Sequence, residues 1–150
     1  IKNLRTNNAV TEFEILGFAK RFTVRYSGYN SYTISRDFTE ALNQMTRSFQ
    51  KEATKRILDS GLLSKIAEAG IDTAIEFKEV QIEKETDEYA VVALVGVRRI
   101  RKYDFQAAMQ ETLFRADLVL KKVSRSSSSP EGLLVEKYQE ILLTDITERK

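Results

Sequence analysis

Gly70-Ile71-Asp72-Thr73-Ala74-Ile75-Glu76-Phe77-Lys78-Glu79-Val80-Gln81-Ile82 is where the hydrophobic period of the chain changes from helical to alternating. Ile75 and Phe77 hold one parity of the alternation, and Val80 and Ile82 hold the other. A parity shift near Lys78-Glu79 is what a β-bulge produces, because one extra residue turns the following side chains over. Residues 83–88 then read as a charged turn around Thr86-Asp87. Residues 89–97 follow as a nearly continuous apolar and β-branched run, the pattern of a central strand covered on both faces. No such alternation precedes Gly70, so helices come first and strands after.

Upstream, Thr11 and Glu14 have the spacing of a capping box, in which each side chain satisfies a free backbone N–H at a helix start. Ile15, Phe18, Ala19, Phe22 and Tyr26 then recur at helical spacing until Ser27-Gly28 breaks the pattern. Thr33 is positioned to cap a second helix, whose apolar face runs from Ile34 through Phe38, Ala41, Met45 and Phe49 to Ile57. The poor helix formers at residues 46–48 predict a bend within it. Leu62, Leu63, Ile66 and Ala67 give a third, short helical face that ends at Gly70.

Downstream, Thr112, Phe114, Ala116, Leu118 and Leu120 alternate cleanly within a long segment, residues 105–123. Residues 107–111 are helix formers by composition, and are read as strand with their neighbours. A Ser-rich loop containing Pro130 and Gly132 leads to a last strand, residues 133–143. Residues 1–8 and 145–150 read as flexible ends of a single domain spanning 1–150. The expected fold is therefore α+β: three N-terminal helices packed in the concave face of a curved, four-stranded antiparallel sheet.

Composition narrows the chemistry. The 150 residues include 24 Lys and Arg against 22 Asp and Glu, a net charge of +2 that does not nominate nucleic acid as a partner. With no His and no Cys, the chain holds no disulfide, no thiolate or imidazole metal site and no His-based triad. Its six glycines stand singly, without a phosphate-cradling loop. No catalytic residue, cofactor site or metal site is assigned, and no direct nucleic-acid contact is expected.

Two features are candidates for contact with a partner. Arg98, Arg99, Arg101 and Lys102 crowd beside Tyr103, and read as a solvated strand end that discourages edge pairing, as a dock for an acidic protein surface or, third, as a contact for nucleic-acid phosphates. The acidic stretch Glu83, Glu85, Asp87 and Glu88 could offset them. Tyr26, Tyr29 and Tyr32 surround a turn, either packing a helix junction or offering rigid amphipathic area to a partner. Asp117 interrupts a strand and is expected to face outward beside Arg115 or Lys137.

Four segments carry a family resemblance: Phe18-Ala19-Lys20-Arg21-Phe22, Asp37-Phe38-Thr39-Glu40-Ala41-Leu42, Leu58-Asp59-Ser60-Gly61-Leu62-Leu63, and the final hairpin with Gly132-Leu133-Leu134-Val135. With their order, the chain resembles the cone-shaped nuclear-transport-factor-two-like (cystatin-like) architecture. Within it, the chain is similar to the periplasmic domain of the inner-membrane scaffold of type IV secretion and conjugation machines: the VirB-eight-type, TraE-type and DotI-type proteins. The Asn-Pro-x-Gly turn of some members is absent, since Pro130 is the single proline. The resemblance implies a non-enzymatic scaffold on the periplasmic side of the inner membrane, anchored by a transmembrane helix before Ile1. It implies other secretion-machine subunits as partners, and the tyrosine cluster with the basic strand end predicts weak homodimerisation. Two alternatives stay open: a cone-fold small-molecule binder or enzyme with a pocket between helices and sheet, and an accessory protein that uses the fold to dimerise.

Overall fold

The computed structural model describes residues 9–103 and 105–145, the side chains of residues 105–109 and 145 excepted. Four helices, α1 (Glu12–Ser27), α2 (Ile34–Asn43), α3 (Arg47–Ser60) and α4 (Leu62–Ala69), precede four strands. The strands are β1 (Ile71–Glu85), β2 (Tyr89–Lys102), β3 (Phe105–Lys122) and β4 (Leu133–Asp145). They form one antiparallel sheet in the order β1-β2-β3-β4, an α+β fold. The ends expected to be flexible lie outside the described residues, apart from Asp145, which closes β4.

α1 starts at its capping box: the Glu14 amide donates to the Thr11 hydroxyl at 3.1 Å, and the Thr11 amide donates to the Glu14 carboxylate at 3.1 Å. Of its predicted stripe, Ile15, Phe18, Ala19 and Phe22 are buried, while Tyr26, at the end of the helix, is half-buried. The bend expected at residues 46–48 is a complete break, so the helical layer has four members where periodicity gave three. Thr46 caps α3, and Gln44-Met45-Thr46 leaves the helical path to pair with β4. There the Val135 amide donates to the Gln44 carbonyl at 2.7 Å, and the Thr46 amide donates to the Val135 carbonyl at 2.9 Å. The partner that opens the helix is remote in sequence, so local propensity registers it only as weakness. α3 closes on Gly61 in the left-handed conformation, φ 64°, which costs glycine nothing.

In the sheet the register slips between Phe77 and Glu79, where the parity shift called for a bulge, and again between Ile82 and Lys84. β2 runs past Val97 to Lys102. Ala90, Val92 and Leu94 on β2, with Phe114, Ala116, Leu118 and Leu120 on β3, pack against the α1 stripe, Ala41, Phe49 and Ala53. A smaller cluster, Ile34, Ile66 and Ile71 with Tyr29 and Ile100, closes the other end. The expected covering of β2 on both faces takes two forms. Helices seal one face, while Ala93 and Val97 on the other are buried between the side chains of β1 and β3.

Gly96 is the flat spot that this packing requires. A Cβ there would stand 3.2 Å from the Phe114 ring and 3.0 Å from the Glu76 carbonyl oxygen. Gly96→Val should therefore lower unfolding stability in a urea titration by about 1–3 kcal/mol, the ordinary cost of overpacking. An unchanged midpoint would mean that the ring can move aside.

Candidate functional site

A cleft of about 720 Å³ opens between the helices and β4. α1 and the turn after it supply Tyr26, Ser27 and Tyr29; α3 and α4 supply Arg56, Ile57, Leu62 and Leu63; β4 supplies Tyr138 to Ile141. Strand alternation aims Tyr138 and Glu140 to the helix side, where α1 crosses the sheet.

At the floor, Glu140 Oε1 gathers three donors. Ser27 Oγ donates at 2.7 Å, the Tyr138 hydroxyl at 2.6 Å, and Arg98 Nη2 forms an ion pair at 2.7 Å. Arg98 also donates to Ser27, and its guanidinium lies 4.3 Å over the Phe114 ring. Only 13% of the Arg98 side chain and 25% of the Glu140 side chain reach solvent, so this is an inward pair. Burial pushes the Tyr138 phenol far above its usual range; the Glu140 charge and the hydrogen bond given to it add to the shift. Tyr26 and Tyr29 are also raised by burial, with Arg56 opposing the effect on Tyr26 and the Glu140 charge adding to it on Tyr29. The Tyr26 ring stacks on Phe22 at 5.2 Å, meets Tyr138 edge-on at 5.1 Å, and its hydroxyl accepts from Arg56. The floor's polar groups thus answer one another except at Arg98 Nε, which is buried without a hydrogen-bond partner, and apolar walls line the rest of the cleft.

The basic run does not form one surface. Alternation along β2 turns Arg98 into the cleft and Arg99 and Arg101 to the opposite face. Arg99 lies between Glu76, at 3.0 Å, and Glu111, at 3.5 Å, while Arg101 pairs with Asp72 at 3.2 Å. Lys102 is exposed at the strand end. The acids that offset the run come from β1, β3 and, for Arg98, β4, not from the 83–88 stretch. In that stretch Glu83 bonds Arg115 at 3.0 Å and Glu85 bonds Lys122 at 2.6 Å. Asp117 is held by Arg115 at 2.9 Å, as its position suggested.

The tyrosines divide too. Tyr26 and Tyr29 line the cleft, whereas Tyr32, 84% exposed, stacks on Tyr103 at 5.0 Å. The Tyr103 hydroxyl donates to Asn30, which donates to Asp72, the partner of Arg101. Tyr32, Tyr103 and Arg101 therefore share a second, exposed platform. Sequence reading did not single out Ser27, Arg56, Tyr138 or Glu140. The available signal was Glu140, a carboxylate on the same strand parity as Tyr138; the register slip beside Val135 turns Leu134 to the other face.

No protein-family model matches the sequence, and no curated protein matches it. Solved structures do share the fold. The periplasmic domain of DotI superposes with a TM-score of 0.73 at 10% identity, covering 89% of this chain and 96% of that one. A TrwG component of the type IV secretion system from Bartonella birtlesii gives 0.75 at 12% identity, covering 91% and 96%. The VirB8 protein of Agrobacterium tumefaciens gives 0.72 at 14% identity, covering 89% and 93%. The cone-shaped fold named from the sequence is the fold observed.

Two outcomes test the geometry. Arg98→Ala strands Glu140 beneath α1 and should cost about 3 kcal/mol in chemical denaturation, whereas Arg101→Ala, whose side chain is 55% exposed, should leave the midpoint nearly unmoved. The second concerns alkali. A phenol whose folded pKa is raised contributes stability that is whole below the unfolded value, about 10, and is lost as pH climbs toward the folded value. Urea midpoints measured from about pH 9 to 11 should fall for the parent chain and fall less steeply for Tyr138→Phe.

Proposed function

We propose that this chain is a non-enzymatic assembly module of a bacterial type IV secretion or conjugative DNA-transfer machine, working at the extracytoplasmic face of the inner membrane. The observation that carries the reading is the likeness to the DotI periplasmic domain, which takes in nearly all of both chains. Two features of the chain support it. The cleft's polar floor is occupied by its own ion pair and hydrogen bonds, a structural rather than a catalytic use of those groups. The exposed Tyr32–Tyr103 pair offers the rigid amphipathic area typical of protein interfaces.

Its partners are other subunits of the same machine, with weak self-association between copies and no direct grip on nucleic acid. Arg99 and Arg101 are largely neutralised within the sheet, so they tune orientation at an interface rather than supply a field of bare positive charge. The alternative, a cone-fold binder or enzyme for a small molecule, draws on the volume and mixed lining of the cleft.

In a host carrying the neighbouring secretion genes, loss of this chain should abolish transfer. Tyr32→Ala combined with Arg101→Ala should reduce recovery of the neighbouring subunits by about fivefold or more, with the melting temperature changed by less than about 2 °C. Undiminished transfer without the chain overturns the assembly reading. A small metabolite that raises the melting temperature by several degrees, with transfer intact, favours the alternative.

A further inference from the structure

The two edges of the sheet are treated differently. β1 is broken by two register slips and presents exposed Glu76, Lys78, Glu79, Glu83 and Lys84, the usual protection of an edge against pairing with another chain. β4 has slips at its two ends, beside Val135 and beyond Leu142, and between them residues 137–142 pair with β3 without interruption. Ile141, Leu142 and Leu143 follow one another at 55, 63 and 47% exposure, and no charged residue stands between Glu140 and Asp145. An edge strand directs the N–H and C=O groups of alternate residues away from its sheet. Here those groups lie along the rim of the cleft, which Gln139, Glu140 and Ile141 help to line.

The molecule itself begins to use this edge. Met45 bridges Val135 in parallel orientation, so the Gln44-Met45-Thr46 connector occupies the place of a fifth strand for a single step before α3 turns away. Beyond that step the same line continues along residues 137–142.

The geometry points to β-strand addition: an extended segment of another protein, lying along residues 137–142 as a fifth strand, with alternate aliphatic side chains dropping into the cleft. Ile57, Leu62 and Leu63 form the apolar wall such side chains would meet. Arg56 stands at the same cleft, exposed, bonded to the Tyr26 hydroxyl and in no ion pair among the described residues, so the segment carries one carboxylate for it. A second copy of this chain fits less well. Two-fold pairing centred on Glu140 sets two carboxylates opposite each other, and centring on Gln139 drives the other copy's Leu143 against Val135, where Met45 already sits, which leaves a second copy the short register centred on Ile141. A run this short also buries far less than the roughly 1,200 Å² of a stable interface between folded partners, whereas short segments bind other domains in this manner.

This inference rests on the assembly reading and names its contact. The probe is a capped peptide of about eight residues, alternating Val and Thr with one Asp, used beside an analogue N-methylated at every second amide. N-methylation leaves the side chains in place and removes the strand's hydrogen bonds on one edge. In amide-resolved NMR titrations the unmodified peptide should bind with a Kd of about 1 mM or tighter, slow exchange across residues 137–142 and shift Leu62 and Leu63. The N-methylated analogue, and the chain carrying Ile141→Lys, should each bind about tenfold more weakly. Arg56→Ala should weaken the Asp peptide and leave an all-Val/Thr version unaffected. Equal binding of both peptides, or no protection of residues 137–142 at saturating probe, overturns strand addition. Sedimentation showing that the probe dissociates a dimer held by this edge would assign the site to a second copy and overturn it as well. If Ile141→Lys loses the probe but retains the neighbouring secretion subunits at parental levels, the edge is not their contact and the assembly reading stands without it.

Discussion

A single carboxylate oxygen, Glu140 Oε1, gathers donors from three elements: α1 through Ser27, β2 through Arg98, and its own strand through Tyr138. Charges taken out of water are costly unless paired and hydrogen-bonded, so this knot holds only while all three donors are present. Phe114 supports the Arg98 guanidinium from below, and Gly96 leaves room for Phe114. The chain of dependence runs from a missing Cβ through a ring and a guanidinium to the orientation of the last strand. The ladder to β3 sets where β4 runs, and the Glu140 contacts fasten α1 to it across the cleft floor.

Much of this architecture is legible in residue periodicity. The capping box at Thr11 and Glu14, the buried α1 stripe and the bulge at Lys78 are local matters, decided by neighbours within a few residues. The break at Gln44-Met45-Thr46 is different, because its cause is Val135, a strand away at the other end of the sequence. The basic cluster shows a third situation. Period-2 alternation places Arg98 opposite in direction to Arg99 and Arg101, but that follows only once β2 is known to continue to Lys102. With the strand ended at Val97, the four cations read as one patch. Where the strand ends decides whether they are a surface or a partition.

Burial then sorts residues that composition treats alike. Tyr26 and Tyr32 are two turns of sequence apart and of one type, yet one is stacked in the cleft and the other stands almost wholly in water. Arg98 and Arg101 differ in the same way, one serving the interior and the other paired across an exposed ladder. Charge counts and aromatic counts see neither difference, so the functional part of this molecule was less readable than its fold.

The bridge between Met45 and Val135 also bears on how the chain reaches its final state. The α2–α3 connector pairs with β4, and β4 is the last of the eight described elements in chain order. Contacts spanning so much of the chain form late, after the entropy of closing a long loop has been overcome. The break between α2 and α3 is therefore fixed only when β4 pairs with it, whereas the packing of α1 on β2 and β3 does not wait for that contact.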